Sequence, residues 1–158
     1  SPSTAYVING DVADRGPNAV EIFVIILLFK ILYPQNVVLN RGNHELLSIS
    51  SMYGFQDEVK RKHEARLFMM FQTFFQSLPL ATVLSRRWFV VHAGLPRDPQ
   101  VTIQDLCRID RRFEDLPEVP ETGEDFMLWD FMWGDPAEQP GIARNPRGED
   151  CIIRFGQD

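Results

Sequence analysis

Three observations in this 158-residue chain predict an α/β fold. Two short apolar runs, Ala5–Ile8 and Val37–Leu39, have the length and continuous apolar character of buried strands. Ala19–Leu32, between them, is apolar over the length of a helix. Each strand run feeds a polar loop containing glycine: Gly10-Asp11-Val12-Ala13-Asp14-Arg15-Gly16 after the first, Arg41-Gly42-Asn43-His44-Glu45 after the second. Strand, loop, helix, strand, loop is one βαβ unit, right-handed, with both loops at the carboxyl edge of its sheet. Two carboxylates, an arginine, an asparagine and a histidine are therefore expected in one crevice. That set suits metal-assisted chemistry on phosphate.

The elements follow in order. Ser1–Thr4 is polar and expected to fray. Gly16-Pro17-Asn18 turns the chain into the helix Ala19–Leu32. Glu21 and Lys30 are the only charges of that helix, so most of its surface is expected to be covered. Its apolar core is about half the ~20 residues a membrane span requires, and Lys30 sits inside it, so burial against a sheet is the better reading. Tyr33-Pro34-Gln35-Asn36 stops the helix. Leu46–Met52 is a short helix broken by Gly54, and Asp57–Gln76 reads as one long helix. Phe68, Phe71, Phe75 and Leu78 hold helical spacing there, while Lys60-Arg61-Lys62-His63 reads as a solvated face and His63 as structural. Leu80–Leu84 and Trp88–Val91 form a hairpin around Ser85-Arg86-Arg87 and lead into His92. Thr102 caps a helix Ile103–Ile109, which places Cys107 in the core. Leu116–Asp125 is an acidic surface loop, Pro136–Arg147 is loop-like, and Cys151–Phe155 begins a strand.

Composition is that of a globular domain or part of one, with 44% apolar and 24% charged residues. A net charge of −6 argues against nucleic acid as the main partner. Cys107 and Cys151 form no C-x-x-C pair, which fits a reducing compartment better than a disulfide framework. No signal peptide or membrane span is visible, so a cytoplasmic or nuclear location is expected and no membrane partner.

The residue types at the strand ends suggest a division of labour. Asp11 is the candidate carboxylate to bridge two metals about 3.5–4 Å apart. Asn43 offers a neutral amide oxygen, a hard ligand for Mn- or Fe-type ions. His92, at the end of Phe89-Val90-Val91, offers an imidazole nitrogen to the same metal. Arg15 presents a planar fork matched to phosphate oxygens. His44 directly follows a ligand and so points elsewhere. Arg41 and Glu45 are expected to orient the loop from behind.

The motifs G-D-x-x-D-R-G and R-G-N-H-E, followed by Val90-Val91-His92-Ala93-Gly94-Leu95 and Trp133-Gly134-Asp135-Pro136, resemble the PPP family of protein serine/threonine phosphatases. The resemblance runs from about Tyr6 to the end of the chain. Leu32-Tyr33-Pro34, Tyr53-Gly54-Phe55, Leu78-Pro79-Leu80 and Val101–Arg111 look most like its type-5 and EF-hand phosphatase branch. It implies a central mixed β-sandwich flanked by helices, the calcineurin-like metallophosphoesterase fold, incomplete at both ends. The chain would be the middle portion of one catalytic domain, residues 1–158. It implies hydrolysis of phosphoserine and phosphothreonine in proteins by metal-bound hydroxide at a two-metal site of Mn, Fe or Zn type. By the same resemblance His44 is the general acid, Asp14 its orienting partner, and Arg15 with Asn43 the phosphate-binding pair. Partners would be phosphoprotein substrates and regulatory domains or subunits.

Ala13, Ala93 and Gly134 stand where that family usually has Val, Gly and Ser. Ala93 is tolerable only if the backbone there does not need φ > 0. Of the six metal ligands the family uses, the chain carries three: Asp11, Asn43 and His92. A later His ligand, a second phosphate-binding Arg and a late Tyr are expected after Asp158, and an upstream G-D-x-H-G before Tyr6. Two alternatives compete. A broader metallophosphoesterase, such as a nuclease or phosphodiesterase, shares the loops, but Arg41 and Glu45 belong to the protein phosphatases. A non-catalytic fragment or pseudophosphatase acting as an interaction module is the other. The isolated chain is expected to bind metal poorly and expose apolar faces.

Overall fold

The computed structural model describes residues 4–148 and 151–157; of the segment Ser1–Thr4 expected to fray, all but Thr4 lies outside them. The βαβ unit is present as β1 (Tyr6–Ile8), α1 (Ala19–Leu32) and β2 (Val37–Leu39). β1 and β2 are parallel, Tyr6 opposite Val37 and Ile8 opposite Leu39. A 3-10 turn (Asn43–Glu45) leads into α2 (Leu47–Met52), α3 (Phe55–Lys62) and α4 (Ala65–Ser77). The antiparallel hairpin β3 (Ala81–Leu84) and β4 (Trp88–Val91) follows. Then come α5 (Ile103–Leu106), α6 (Gly123–Trp133), β5 (Asp135–Pro136), β6 (Gly141–Arg144) and β7 (Ile153–Gly156). The last three make a mixed sheet in the order β5-β7-β6.

The core is aromatic. Phe23 of α1, Phe55 of α3 and Phe75 of α4 are wholly buried, and the Phe23 ring lies 5.7 Å from Phe55 and 5.2 Å from Phe75. The spacing Phe68, Phe71, Phe75 and Leu78 is the buried stripe of α4. The expected single helix Asp57–Gln76 is instead two, broken where His63 and Glu64 turn extended. In one continuous helix Val59 and Phe68 would sit about half a turn out of phase, on opposite faces. The break lets both stripes meet Phe23. Glu58 then closes the core from below: its two carboxylate oxygens accept the Ala19 and Val20 N–H groups at 3.2 and 3.1 Å. An anion from another helix thus caps the start of α1.

Four other expectations need correction. α1 is not covered on most of its surface: Ile25, Leu28, Phe29, Ile31 and Leu32 are all more than half exposed, because within the described residues it packs through Ala19, Val20 and Phe23. Cys107 is exposed, because α5 is one turn long and ends before it. The acidic loop ends early, since Thr122 and Asp125 form a reciprocal capping box that starts α6 at Gly123. Pro136–Arg147 contains strand β6, paired with β7. Among the described residues no helix is long and apolar enough to cross a membrane.

Candidate functional site

Asp11, Arg15, Asn43, His44 and His92 line one cleft of about 350 Å³, together with Tyr53, Trp133, Asp135 and Arg147. Strand ends place them. β1 runs into Gly10, whose φ of +80° sharpens the turn, and Asp11, Asp14 and Arg15 are also left-handed, at +54°, +69° and +55°. Three non-glycine residues in that region within one loop must be held by their surroundings.

Glu45 supplies that hold. Fully buried, it accepts the N–H of Asp11 at 2.9 Å, of Val12 at 2.8 Å, of Ala13 at 3.0 Å and of Gly42 at 2.8 Å. Burial holds its carboxyl above the usual carboxylate range, offset only in part by the donors at Ala13, Asp11 and Gly42. The loops touch so closely that a Cβ on Gly42 would lie 2.5 Å from Asp11 Oδ1. Arg41, wholly buried, donates to the main-chain oxygens of Glu45, Arg111 and Glu114 and lies under the Phe113 ring. Burial lowers its pKa to about 10, so it keeps its charge at neutral pH. Neither Arg41 nor Glu45 reaches the cleft; both act on the loops that do.

Two pairs set the cleft's histidines, and Asp14 of the first sits buried behind the lining. His44 Nδ1 lies 2.7 Å from Asp14 Oδ2, and Asp14 Oδ1 accepts the Phe55 N–H at 2.8 Å. The carboxylate is thereby fixed and holds the ring, leaving the other ring nitrogen for the cleft. Tyr53 meets the same ring edge-on at 5.6 Å. Across from it, His92 Nδ1 donates to Asn9 O at 2.8 Å, and His92 Nε2 lies 3.3 Å from Asp11 Oδ1. Nδ1 donates to a carbonyl, so Nε2 is the ring nitrogen left to face the Asp11 carboxylate. An imidazole nitrogen and a carboxylate oxygen so placed can share a cation. Asn43 lines the same cleft, and among the described residues its Oδ1 is the one buried side-chain oxygen with no hydrogen-bond partner. Carboxylate, amide oxygen and imidazole make a mixed oxygen and nitrogen donor set, and these residues fit a divalent cation. Among the described residues no three His, Cys, Asp or Glu side chains gather by themselves, so the amide is needed to complete the set.

The turn after His92 docks on the end of α6: Ala93 N–H donates to Phe131 O and Gly94 N–H to Asp130 O, both at 2.9 Å. Ala93 is not in the left-handed region, so its methyl is tolerated. Gly94 and Gly134 meet backbone to backbone, and a Cβ on Gly134 would lie 2.8 Å from Asp130 O and 3.0 Å from Gly94 Cα. Serine at 134 would force that contact apart. Arg147 is the charged cleft residue that the motifs did not single out; its guanidinium is held by Asp135 at 2.6–2.7 Å. The signal available was Arg147 itself, one of two arginines in a segment read as loop.

A family model described as "Calcineurin-like phosphoesterase" matches residues 2–156. The chain belongs to that family. It is 42% identical over 147 residues, 93% of the chain, to serine/threonine-protein phosphatase T of Saccharomyces cerevisiae, covering 27% of that protein. It is 36% identical over its full length to human serine/threonine-protein phosphatase 5, covering 30% of it. A solved S. cerevisiae serine/threonine phosphatase, described as similar to human phosphatase PP5, superposes with a TM-score of 0.87 at 39% identity. The match covers 99% of this chain and 46% of that one. The resemblance read from the motifs, type-5 branch included, is borne out, as is the mixed α/β calcineurin-like fold. The chain spans about a third or less of the curated relatives' length. Metallophosphoesterases of this family generally use two divalent metals.

Proposed function

We propose that the chain is the middle portion of one catalytic domain of a protein serine/threonine phosphatase, acting on phosphoserine and phosphothreonine in proteins. The observation that carries this reading is the unpartnered, buried amide oxygen of Asn43, a residue of the cleft that Asp11, His92 and His44 also line, with Asp14 behind His44.

Asp11, Asn43 and His92 would hold a cation of Mn, Fe or Zn type. Such ions, when bound, neutralise phosphate charge and acidify water. The chain's own groups do the rest. Arg15 lies in the cleft mouth, its guanidinium 5.9 Å from the Tyr53 ring, and binds phosphate oxygens as a fork with the Asn43 amide beside it. Arg147, turned to Asp135, is a second candidate fork already within the chain, rather than after Asp158. His44 delivers a proton to the departing Ser or Thr oxygen, and Asp14 keeps its ring in the orientation to do so. Arg41 and Glu45 keep the two loops in register.

The test is phosphate release from a phosphoserine peptide by the complete gene product with Mn²⁺, beside a phosphodiester substrate. His44→Asn should lower kcat by about 10²–10⁴-fold while bound metal is unchanged. Wild-type kcat in His44→Asn would remove the acid assignment. Turnover of the diester alone would favour the phosphodiesterase reading, and no turnover of either would favour a non-catalytic module.

A further inference from the structure

We propose that Asn40, Asn9 and Thr82 form a buried relay that positions His92 against Asp11. The proposal rests on the reading of His92 as a cation ligand. None of the three lines the cleft. Asn40, at the end of β2, is wholly buried, yet its side chain is fully engaged. Its Nδ2 donates to Asn9 Oδ1 at 2.9 Å and to Val90 O at 3.1 Å, and its Oδ1 accepts from Thr82 Oγ1 at 2.6 Å. Its backbone N–H donates to Ile8 O at 2.8 Å. Asn9 carries the chain of bonds onward. Its Nδ2 donates to Val91 O at 2.8 Å, and its main-chain oxygen accepts His92 Nδ1 at 2.8 Å.

Three consecutive residues, Val90, Val91 and His92, are therefore each tied to the βαβ unit through these two asparagines. The tie matters because β1–β2 and β3–β4 are separate sheets with no ladder between them. An amide supplies donors and an acceptor in fixed directions, so it sets register as well as proximity. Three apolar side chains of similar size would fill the space without fixing direction. Asn9 also stands two residues before Asp11. One short segment thus holds both the carboxylate and the carbonyl that orients the imidazole, and the Asp11–His92 distance of 3.3 Å is set by the relay. A ligand histidine held through its other ring nitrogen by a main-chain carbonyl is a common way to fix its tautomer.

The experiment is Mn²⁺ binding by calorimetry on the complete gene product, well below each variant's unfolding midpoint, with ¹⁵N spectra of the His92 ring. Asn40→Leu should weaken Mn²⁺ binding about 10–100-fold, as loss of a ligand's orienting partner does, and should release His92 from the Nδ1–H form. Thr82→Val should weaken it about 2–10-fold, the range of one lost hydrogen bond, and Thr82→Ser should bind as wild type. His92→Ala should lose at least as much as Asn40→Leu. Wild-type affinity and an unchanged His92 tautomer in Asn40→Leu would overturn the relay. If Asn40→Leu does not fold, wild-type affinity in Thr82→Val would overturn it. Wild-type affinity in His92→Ala would remove the ligand reading itself, a separate failure.

Discussion

Up to Leu78 the chain buries eleven apolar side chains in one cluster, and between Asp14 and Glu58 it buries His44 with three carboxylates and an arginine, all hydrogen-bonded. Beyond Pro79 the buried apolar set among the described residues is five: Leu128, Phe131, Met132, Ile152 and Ile153. The first region carries Asp11, Asp14, Arg15, Asn43 and His44; the second delivers His92 and Arg147. The difference teaches where precision comes from. In the first region a buried carboxylate, Glu45, holds a strained loop above a dense aromatic core. In the second, single polar ties hold one histidine in place.

The contrast can be broken by unequal losses. Phe55→Ala should cost about 3–5 kcal/mol of unfolding free energy, because the Phe55 ring is wholly buried against Phe23, Phe71 and Phe75. Phe89→Ala should cost clearly less, since Phe89 is half-buried and meets one ring, Phe131, at 6.2 Å. Equal losses in chemical denaturation would erase the distinction between the regions.

A smaller effect sharpens it. Arg97 grips buried Asp130 through Nε and Nη2, and Asp130 O receives the Gly94 N–H just past His92. Arg97→Ala should cost about 2–3 kcal/mol, below the value for a fully buried pair because Arg97 is partly exposed. Amide exchange should quicken at Gly94 and stay unchanged at Val59. Uniform quickening would mean that the two regions open as one.

The smallest effect lies at the start of α6. Thr122→Ala should cost about 1 kcal/mol. Asp125, its partner in the capping box, has a pKa lowered chiefly by the Thr122 and Glu121 N–H groups. Its contribution is therefore present above the ordinary carboxylate range and lost as pH falls through the lowered value. A thermal midpoint in Asp125→Asn that follows the wild-type acid profile would contradict that assignment.

Much of the site was legible because its residues are adjacent to strand ends, where a loop of five to seven residues can be read as a unit. Asp11, Arg15, Asn43, His44 and His92 reach one cleft for that reason. What was not legible is relational. The break at His63 follows from where Phe23 sits, which no local pattern reveals. The start of α6 was marked by Thr122 and Asp125 but masked by the surrounding acids and prolines. Asn9, Asn40 and Thr82 look like ordinary polar residues until three strands bring them together.

The most direct test is anomalous scattering from a crystal of the complete gene product grown with Mn²⁺, for wild type and Asp11→Asn. A peak within coordination distance of Asp11, Asn43 Oδ1 and His92 Nε2, absent or strongly reduced in Asp11→Asn, is the predicted result. A cleft with no peak between those three atoms, or a peak indifferent to Asp11, would contradict the account.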